Sequence, residues 1–442
     1  MSATQNQLGA PKPAGRLPLL GHAMQLRGDL LGTLESWARE VGDVYRLDIP
    51  GQDIWIVNRP EDIERIFVDA EHFTRGGSEM VQSKVAWGDS LMTSSGELWK
   101  TQRRMMAPAF HRERVAAYGR RMVELTEQAL ARWPYGEVRS LRAEMTALTL
   151  RIVTDALFGD GEVPPDEVGT ALDTGIQRFD GVRAVLPGWL IPGVHARYRA
   201  AVAQLDKIVN DIIARRQTHA HERSDLLSIL LTAHDEDGTR MSDSLLRDEV
   251  MGLLLGGYET TTVALAWAWY AIARYPDVER RVRDEAAALA GPPTVADLQR
   301  LPYIDAVVKE TMRLYPPIWL MVRVLLDDWE IGGYPAKRGA QIKMSAWIVQ
   351  RDRRYFPDPL RFRPERWLDG STSSLPKYAY FPFGGGQRLC IGRPFALLEM
   401  SLVLATIARQ SRLRPVSADE VAPVASFSLR PSGALLMRRE RC

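Results

Sequence analysis

The sequence predicts a mainly α-helical protein with a smaller β part, and three observations carry that prediction. Helical periodicity dominates beyond about Glu97. One run, Ser242 to Tyr275, is long and apolar enough to be a helix at the centre of a core. Short β-rich segments lie near the two ends. Composition agrees, since 45% hydrophobic and 25% charged residues are ordinary for a globular protein. A net charge of +2 gives no reason to expect nucleic acid or an anionic membrane as partner. Two cysteines in 442 residues exclude a disulfide framework and a four-cysteine zinc site, so a cytoplasmic location is expected.

The chain begins with polar residues and then a proline-rich stretch, without the apolar core of a signal peptide. Residues 1–10 are expected to be a flexible extension, and 11–442 a single domain. "GDVYRLDIP" and "QDIWIVNRP" read as a hairpin bounded by Gly, Asn and Pro. Helices follow at "RRMVELTEQALARW", "LTLRIVTDALFG" and "AAVAQLDKIVNDIIARR". Between the last two, "VLPGWLIPG" (Val185–Gly193) reads as a packed connection or, less often, a lid. Ser242 caps the longest helix and Pro276 stops it; at ~1.5 Å per residue it runs about 50 Å. The best candidate for a membrane span, Val250–Ala273, lies inside it. Glu259 and three threonines at its centre argue against one, because a mid-bilayer carboxylate costs at least ~2.5 kcal/mol. No transmembrane anchor is expected. "DDWEIGGYPAKRG" and "SFSLRPSGALLMRRE" alternate like strands. His219 and His221, in a charged stretch, read as a solvated turn rather than a metal site.

Cys390 stands in "FPFGGGQRLCIG", two residues after Arg388 and just before Gly392, Pro394 and an apolar helical run. Proline suits a helix's first turn. The cysteine therefore precedes a helix N-terminus, where free N–H groups favour an anion and lower a thiol's pKa. Glycines let backbone approach sulfur or a flat ligand.

The segment Phe383-Gly384-Gly385-Gly386-Gln387-Arg388-Leu389-Cys390-Ile391-Gly392 resembles the haem-binding loop of the cytochrome P-450 superfamily, with every fixed position filled. The resemblance implies that family's fold, a mainly α single domain with haem between a long central helix and the helix after the Cys loop. It implies Cys390 as axial thiolate to haem b and Arg388 as partner of a propionate. Phe383, Gly386 and Gly392 would shape the loop. "KETMR" and "FRPERW" resemble the family's structural triad, here Glu310, Arg313 and Arg366. "GGYETT" resembles its oxygen-activation segment. Gly256 and Gly257 would leave room for a diatomic ligand, Thr260 would offer a hydroxyl, and Glu259 would pass protons inward if it can turn towards solvent. Trp99 and Arg103, four apart, resemble its propionate-binding pair, and Arg323 fits a further propionate arginine. Where many relatives have His-Arg before "FPDP", this chain has Gln350-Arg351.

By the same resemblance, Val85, Trp87, Leu91, Leu254, Leu255, Ile318, Trp319, Met321 and Phe427 would line a dry substrate pocket. The implied reaction inserts one oxygen atom from O2 into a lipophilic small molecule, by hydroxylation or epoxidation. Electrons would come from NAD(P)H through a ferredoxin or flavodoxin-type donor and its reductase. Arg104, Arg112, Arg114 and Arg393 are expected to form a basic docking patch. Three other readings remain open: peroxide-driven oxidation or oxidative coupling at the same haem, a haem carrier or sensor, and a cysteine-nucleophile hydrolase.

Overall fold

Gly51, at φ +73°, turns the chain between strands Val44–Ile49 and Gln52–Val57, which pair antiparallel with Val44 opposite Val57. This is the hairpin expected from the sequence. The computed structural model describes residues 9–159, 165–179, 191–217 and 225–442. Residues 1–8, residues 185–190 of the proline-rich connection, and His219 and His221 lie outside them. Contacts among the described residues gather into two compact units, each assembled from separated stretches of chain.

Among the described residues, the smaller unit comprises 9–82 with 318–361 and 372–390. Its five-stranded sheet runs Val44–Ile49, Gln52–Val57, Gln341–Ser345, Leu320–Leu325, Phe73–Thr74. Gln52–Val57 pairs in parallel with Gln341–Ser345, Ile54 opposite Gln341; the other neighbours are antiparallel. Trp55, Val57, Ile63, Phe67, Ile342, Met344, Tyr378 and Phe381 form its core. "DDWEIGGYPAKRG" makes the small hairpin Trp329–Ile331/Tyr334–Ala336.

The larger unit is mainly helical. Its central helix runs Asp243–Arg274; the Ser242 hydroxyl accepts the Leu245 N–H at 3.2 Å, and Pro276 opens the next helix, Pro276–Ala287. Helices Leu141–Phe158, Pro192–Gln217, Pro302–Leu314 and Arg393–Gln410 pack around it. Close approach to Leu141–Phe158 requires Gly257, since a Cβ there would lie 2.6 Å from Val153 Cγ2. The Thr149 and Thr262 hydroxyls bond at 2.6 Å across the same seam. Near the C-terminus, strand Leu436–Arg441 pairs with Val138–Ser140 and Ser411–Pro415, and Pro423–Ala425 pairs with Leu429–Pro431.

Glu310, Arg313 and Arg366 meet inside this unit, each at most 1% exposed at its side chain. Arg313 Nε and Nη2 donate to the two Glu310 oxygens, both at 2.8 Å, and Arg366 Nε donates at 3.0 Å. The Arg363 N–H and the Trp367 indole add bonds at 2.9 and 3.0 Å. The carboxylate is therefore saturated and screened from water. Removing it strands two guanidiniums, so Glu310→Ala should lower stability by about 3–5 kcal/mol in urea unfolding.

Candidate active site

The Cys390 loop closes on itself within the smaller unit. The Cys390 N–H donates to Phe383 O at 3.1 Å, Gly384 N–H to Phe381 O at 2.9 Å, and Leu389 N–H to Gly386 O at 3.1 Å. Cys390 is exposed. Phe381, at the loop's entry, donates its N–H to Gln350 Oε1 at 2.9 Å. Gln350 is fully buried. Glutamine at the departure noted in the sequence thus ties down the start of the loop. Gly386, at φ +64°, rests on the carbonyl of Phe67, and any Cβ there would collide with it. That glycine is required by packing on helix Pro60–Val68. Gly392 precedes helix Arg393–Gln410, with Pro394 in its first turn, as expected.

Three arginines of the same unit bear on this loop. Strand Phe73–Thr74 pairs Thr74 with Val324, and the register continued by one residue sets Arg75 opposite Arg323. Burial pushes the Arg323 guanidinium down to about 9, with repulsion from Arg75 and Arg388 adding to it. Burial and Arg75 bring Arg388 down to about 10. Burial also lowers Arg75, and the charge of Cys390 opposes that. No carboxylate acts on Arg75 or Arg323 among the described residues. Clustered like charges, one of them buried, beside a cysteine fit a ligand bearing two carboxylates. Haem, with its two propionates, is such a ligand. Arg75 escaped the sequence reading; an arginine between a two-residue strand and Gly76-Gly77 is visible only once Arg323 is known to lie opposite.

In the larger unit, the middle of the central helix has one open stripe. From Glu249 to Ile272 only Leu253, Gly256, Gly257 and Thr260 escape full burial. At about 100° per residue, Leu253, Gly256 and Thr260 share one face. A Cβ on Gly256 would meet only Met92 Sδ, at 3.8 Å, so the backbone is open there, whereas Gly257 is closed against Val153. The Thr260 hydroxyl donates to Gly256 O at 2.7 Å. Glu259 points elsewhere. It is 1% exposed and bonded by the Ser428 hydroxyl and by Arg430 Nε at 2.7 Å. The turn towards solvent that proton delivery requires would break both bonds. Below the stripe, the buried Glu399 carboxyl is held well above the usual carboxylate range by burial, which the Thr261 hydroxyl partly offsets.

The expected pocket residues divide. Leu254 and Leu255, each 1% exposed, lie on the far side of the helix from Thr260, so they are core; Leu253 occupies the open face instead. Trp87 is likewise enclosed, and Trp319 nearly so. Leu91, Ile318 and Phe427 remain partly open. Met321 is partly open too, its sulfur 3.5 Å from where a Gly384 Cβ would stand, so it underlies the Cys loop. Val85 belongs to helix Ser78–Trp87. Trp99, buried, and Arg103, half-buried, sit one turn apart on helix Gly96–Met106. Arg104 leaves the expected docking patch, because its guanidinium binds Asp235 through two bonds of 2.7 and 2.8 Å.

Residues 11–438 match the cytochrome P-450 family. The chain is 36% identical to cyclooctat-9-en-7-ol 5-monooxygenase of Streptomyces melanosporofaciens, covering 91% of this chain and 89% of that one. It is 33% identical to cyclooctatin synthase of the same organism, covering 94% and 92%. It is 32% identical to pentalenene oxygenase of Streptomyces avermitilis, covering 96% and 95%. A crystal structure of a cytochrome P-450 haem domain superposes with a TM-score of 0.90 at 26% identity, covering 99% and 98%. The chain belongs to the cytochrome P-450 family and has its fold. It is a haem-thiolate monooxygenase acting on a lipophilic small molecule. Its cofactor is haem b and its co-substrate O2, with NAD(P)H-derived electrons arriving through partner proteins. No helix among the described residues is long and apolar enough to cross a membrane.

Two outcomes test the residues around Cys390. Cys390→Ala should abolish the thiolate signature of the ferrous carbonyl spectrum. Arg323→Met should raise the melting temperature of haem-free protein, by relieving repulsion, yet speed haem loss about tenfold, by removing one charge-assisted bond.

Proposed function

We propose that this enzyme oxidises a cyclic terpene skeleton, or an alcohol derived from one, with electrons from a ferredoxin or flavodoxin-type protein in the cytoplasm. One observation carries the reading: the open stripe pairs bare backbone at Gly256 with a hydroxyl at Thr260, and its remaining surface, Leu253, is apolar. Such a face suits a hydrocarbon beside a site of oxygen chemistry. The names of the three relatives agree with terpenoid substrates.

When bound through the Cys390 thiolate, haem supplies a metal centre that the sulfur's electron donation biases towards O–O cleavage. The remaining work belongs to the protein. Arg75, Arg323 and Arg388 would hold the haem propionates, and the resemblance assigns Trp99 and Arg103 to the same groups. The Thr260 hydroxyl commits its proton to Gly256 O, so its oxygen can accept from, and orient, a water or other proton donor at the groove. Glu259, pinned by Arg430 and Ser428, delivers protons only after those bonds part. The intact Glu259–Thr260 pair favours dioxygen over peroxide as the oxidant. Thr260→Ala should cut product per NAD(P)H consumed by about 100-fold, within the range of lost proton positioning, while leaving reduction in place.

For electron delivery, Arg112 and Arg114 are exposed on the short helix Arg112–Ala117, and Arg393 is exposed at the start of Arg393–Gln410. These helices pack together, with the rings of Tyr118 and Phe395 5.9 Å apart. The three arginines are assigned to an acidic donor, without Arg104. Reversing Arg112 and Arg114 to Glu should slow reduction about tenfold at low salt, and the difference should shrink as salt rises.

Haem difference spectroscopy tests the substrate class directly. Cyclic terpene hydrocarbons and their alcohols should shift the iron to high spin at micromolar concentration. A response confined to fatty acids or polyketides would overturn the assignment.

A further inference from the structure

The segment Gly88–Ser95 runs along the central helix of the larger unit and touches it at four successive points. The Asp89 N–H donates to Asp248 Oδ2 at 2.8 Å, and Gly88 lies so close to that carboxylate that a Cβ there would collide with it. The Leu91 N–H donates to Glu249 Oε2 at 3.0 Å. A Cβ on Gly252 would stand 3.0 Å from Ser90 Cβ. Met92 Sδ lies 3.8 Å from the Cβ position of Gly256. Over the eight steps from Asp248 to Gly256, about 12 Å of helix, the segment therefore leads to the open stripe and brings Met92 over its bare backbone.

Glu249 is placed for more than packing. It is 1% exposed, and its Oε1 is buried without a hydrogen-bond partner. At about 100° per residue it shares the face of Leu253, Gly256 and Thr260. Burial pushes its carboxyl up to about 8, against the opposing Leu91 N–H, with Asp248 adding to the rise. Burial thus favours its uncharged form, which accepts from one backbone amide. A buried, half-satisfied carboxyl is costly in a core. Here it bonds the residue next to Met92, on a segment whose other ties lie to either side: Asp89 to Asp248, Lys84 and Gln102 upstream, and Thr93 and Ser94 to Gly88, Ser90 and Gln102 downstream, with Leu91 held by Glu249. Leu91 and Met92 are both partly open.

We infer that Glu249 is a specificity-determining positioning residue. By holding the Leu91 amide it fixes Leu91 and Met92 as the end wall of the stripe, and so sets the length of lipophilic molecule that fits between that wall and the oxidised position. The inference rests on the proposed use of the Leu253–Thr260 stripe as the substrate face. It assigns to Glu249 no contact with substrate and no proton transfer.

The test uses haem-loaded protein, a series of n-alkylimidazoles of increasing chain length as iron-binding probes, and amide hydrogen exchange across residues 88–95. Glu249→Leu should speed Leu91 amide exchange about tenfold, the loss of one hydrogen bond, and flatten the dependence of probe affinity on chain length. Glu249→Gln, which keeps an uncharged acceptor, should retain both wild-type properties. Met92→Ala should move the preferred chain length upward while leaving Leu91 exchange unchanged. The inference falls if Glu249→Leu loosens the amide but preserves the length preference, if the exchange does not change, or if Glu249→Gln behaves like Glu249→Leu. Failure of the terpene assignment would look different, because these probes require only haem and a cavity of fixed length.

Discussion

Buried positive charge around Cys390 is the constraint on which the smaller unit is built. Arg75 and Arg388 repel the buried Arg323, and the charge at Cys390 offsets part of the cost at Arg75. A protein chain rarely tolerates that arrangement without something to complete it. The sheet pairs Thr74 with Val324, next to Arg75 and Arg323, the Phe67 ring lies 5.1 Å beneath Arg323, and the carbonyl of Phe67 meets Gly386. Strand pairing, helix placement and loop geometry therefore converge on one charge problem, and a prosthetic group with two carboxylates resolves it.

In the larger unit, two buried carboxylates are instead satisfied internally. Glu310 satisfies two guanidiniums, an indole and a backbone amide, and Glu259 satisfies Ser428 and Arg430. The middle of the central helix keeps one open stripe, so its chemistry has one direction in which to act. Glu259 is where the two demands compete. Bonded, it holds the C-terminal hairpin whose turn carries Phe427; released, it becomes available to move protons.

Local patterns made much of this legible in the sequence. The Cys390–Gly392–Pro394 spacing marks a helix start, Ser242 and Pro276 mark the ends of the central helix, and Glu310 lies three residues from Arg313 on one face. Features set by distant pairing were not legible. Arg75 means little until residue 323 lies opposite it, and Arg104 looked like a free surface charge until Asp235, 131 positions away, bound it. Leu254 and Leu255 were expected in the pocket by the resemblance, yet helical rotation turns both inward and leaves Leu253 on the open side. Gly257, grouped with Gly256 by sequence, serves close packing against Val153 instead.

The parallel pairing of Gln52–Val57 with Gln341–Ser345 has a consequence for biosynthesis. On the ribosome the first hairpin emerges early, yet the strand that covers its second edge follows only after nearly three hundred further residues, a wait on the order of tens of seconds. Through that interval Ile54, Trp55, Ile56 and Val57 present an apolar, unpaired border of the kind that recruits other nascent chains. Slower initiation, cooler growth or added chaperone capacity should therefore improve recovery of intact enzyme more than any change near the iron.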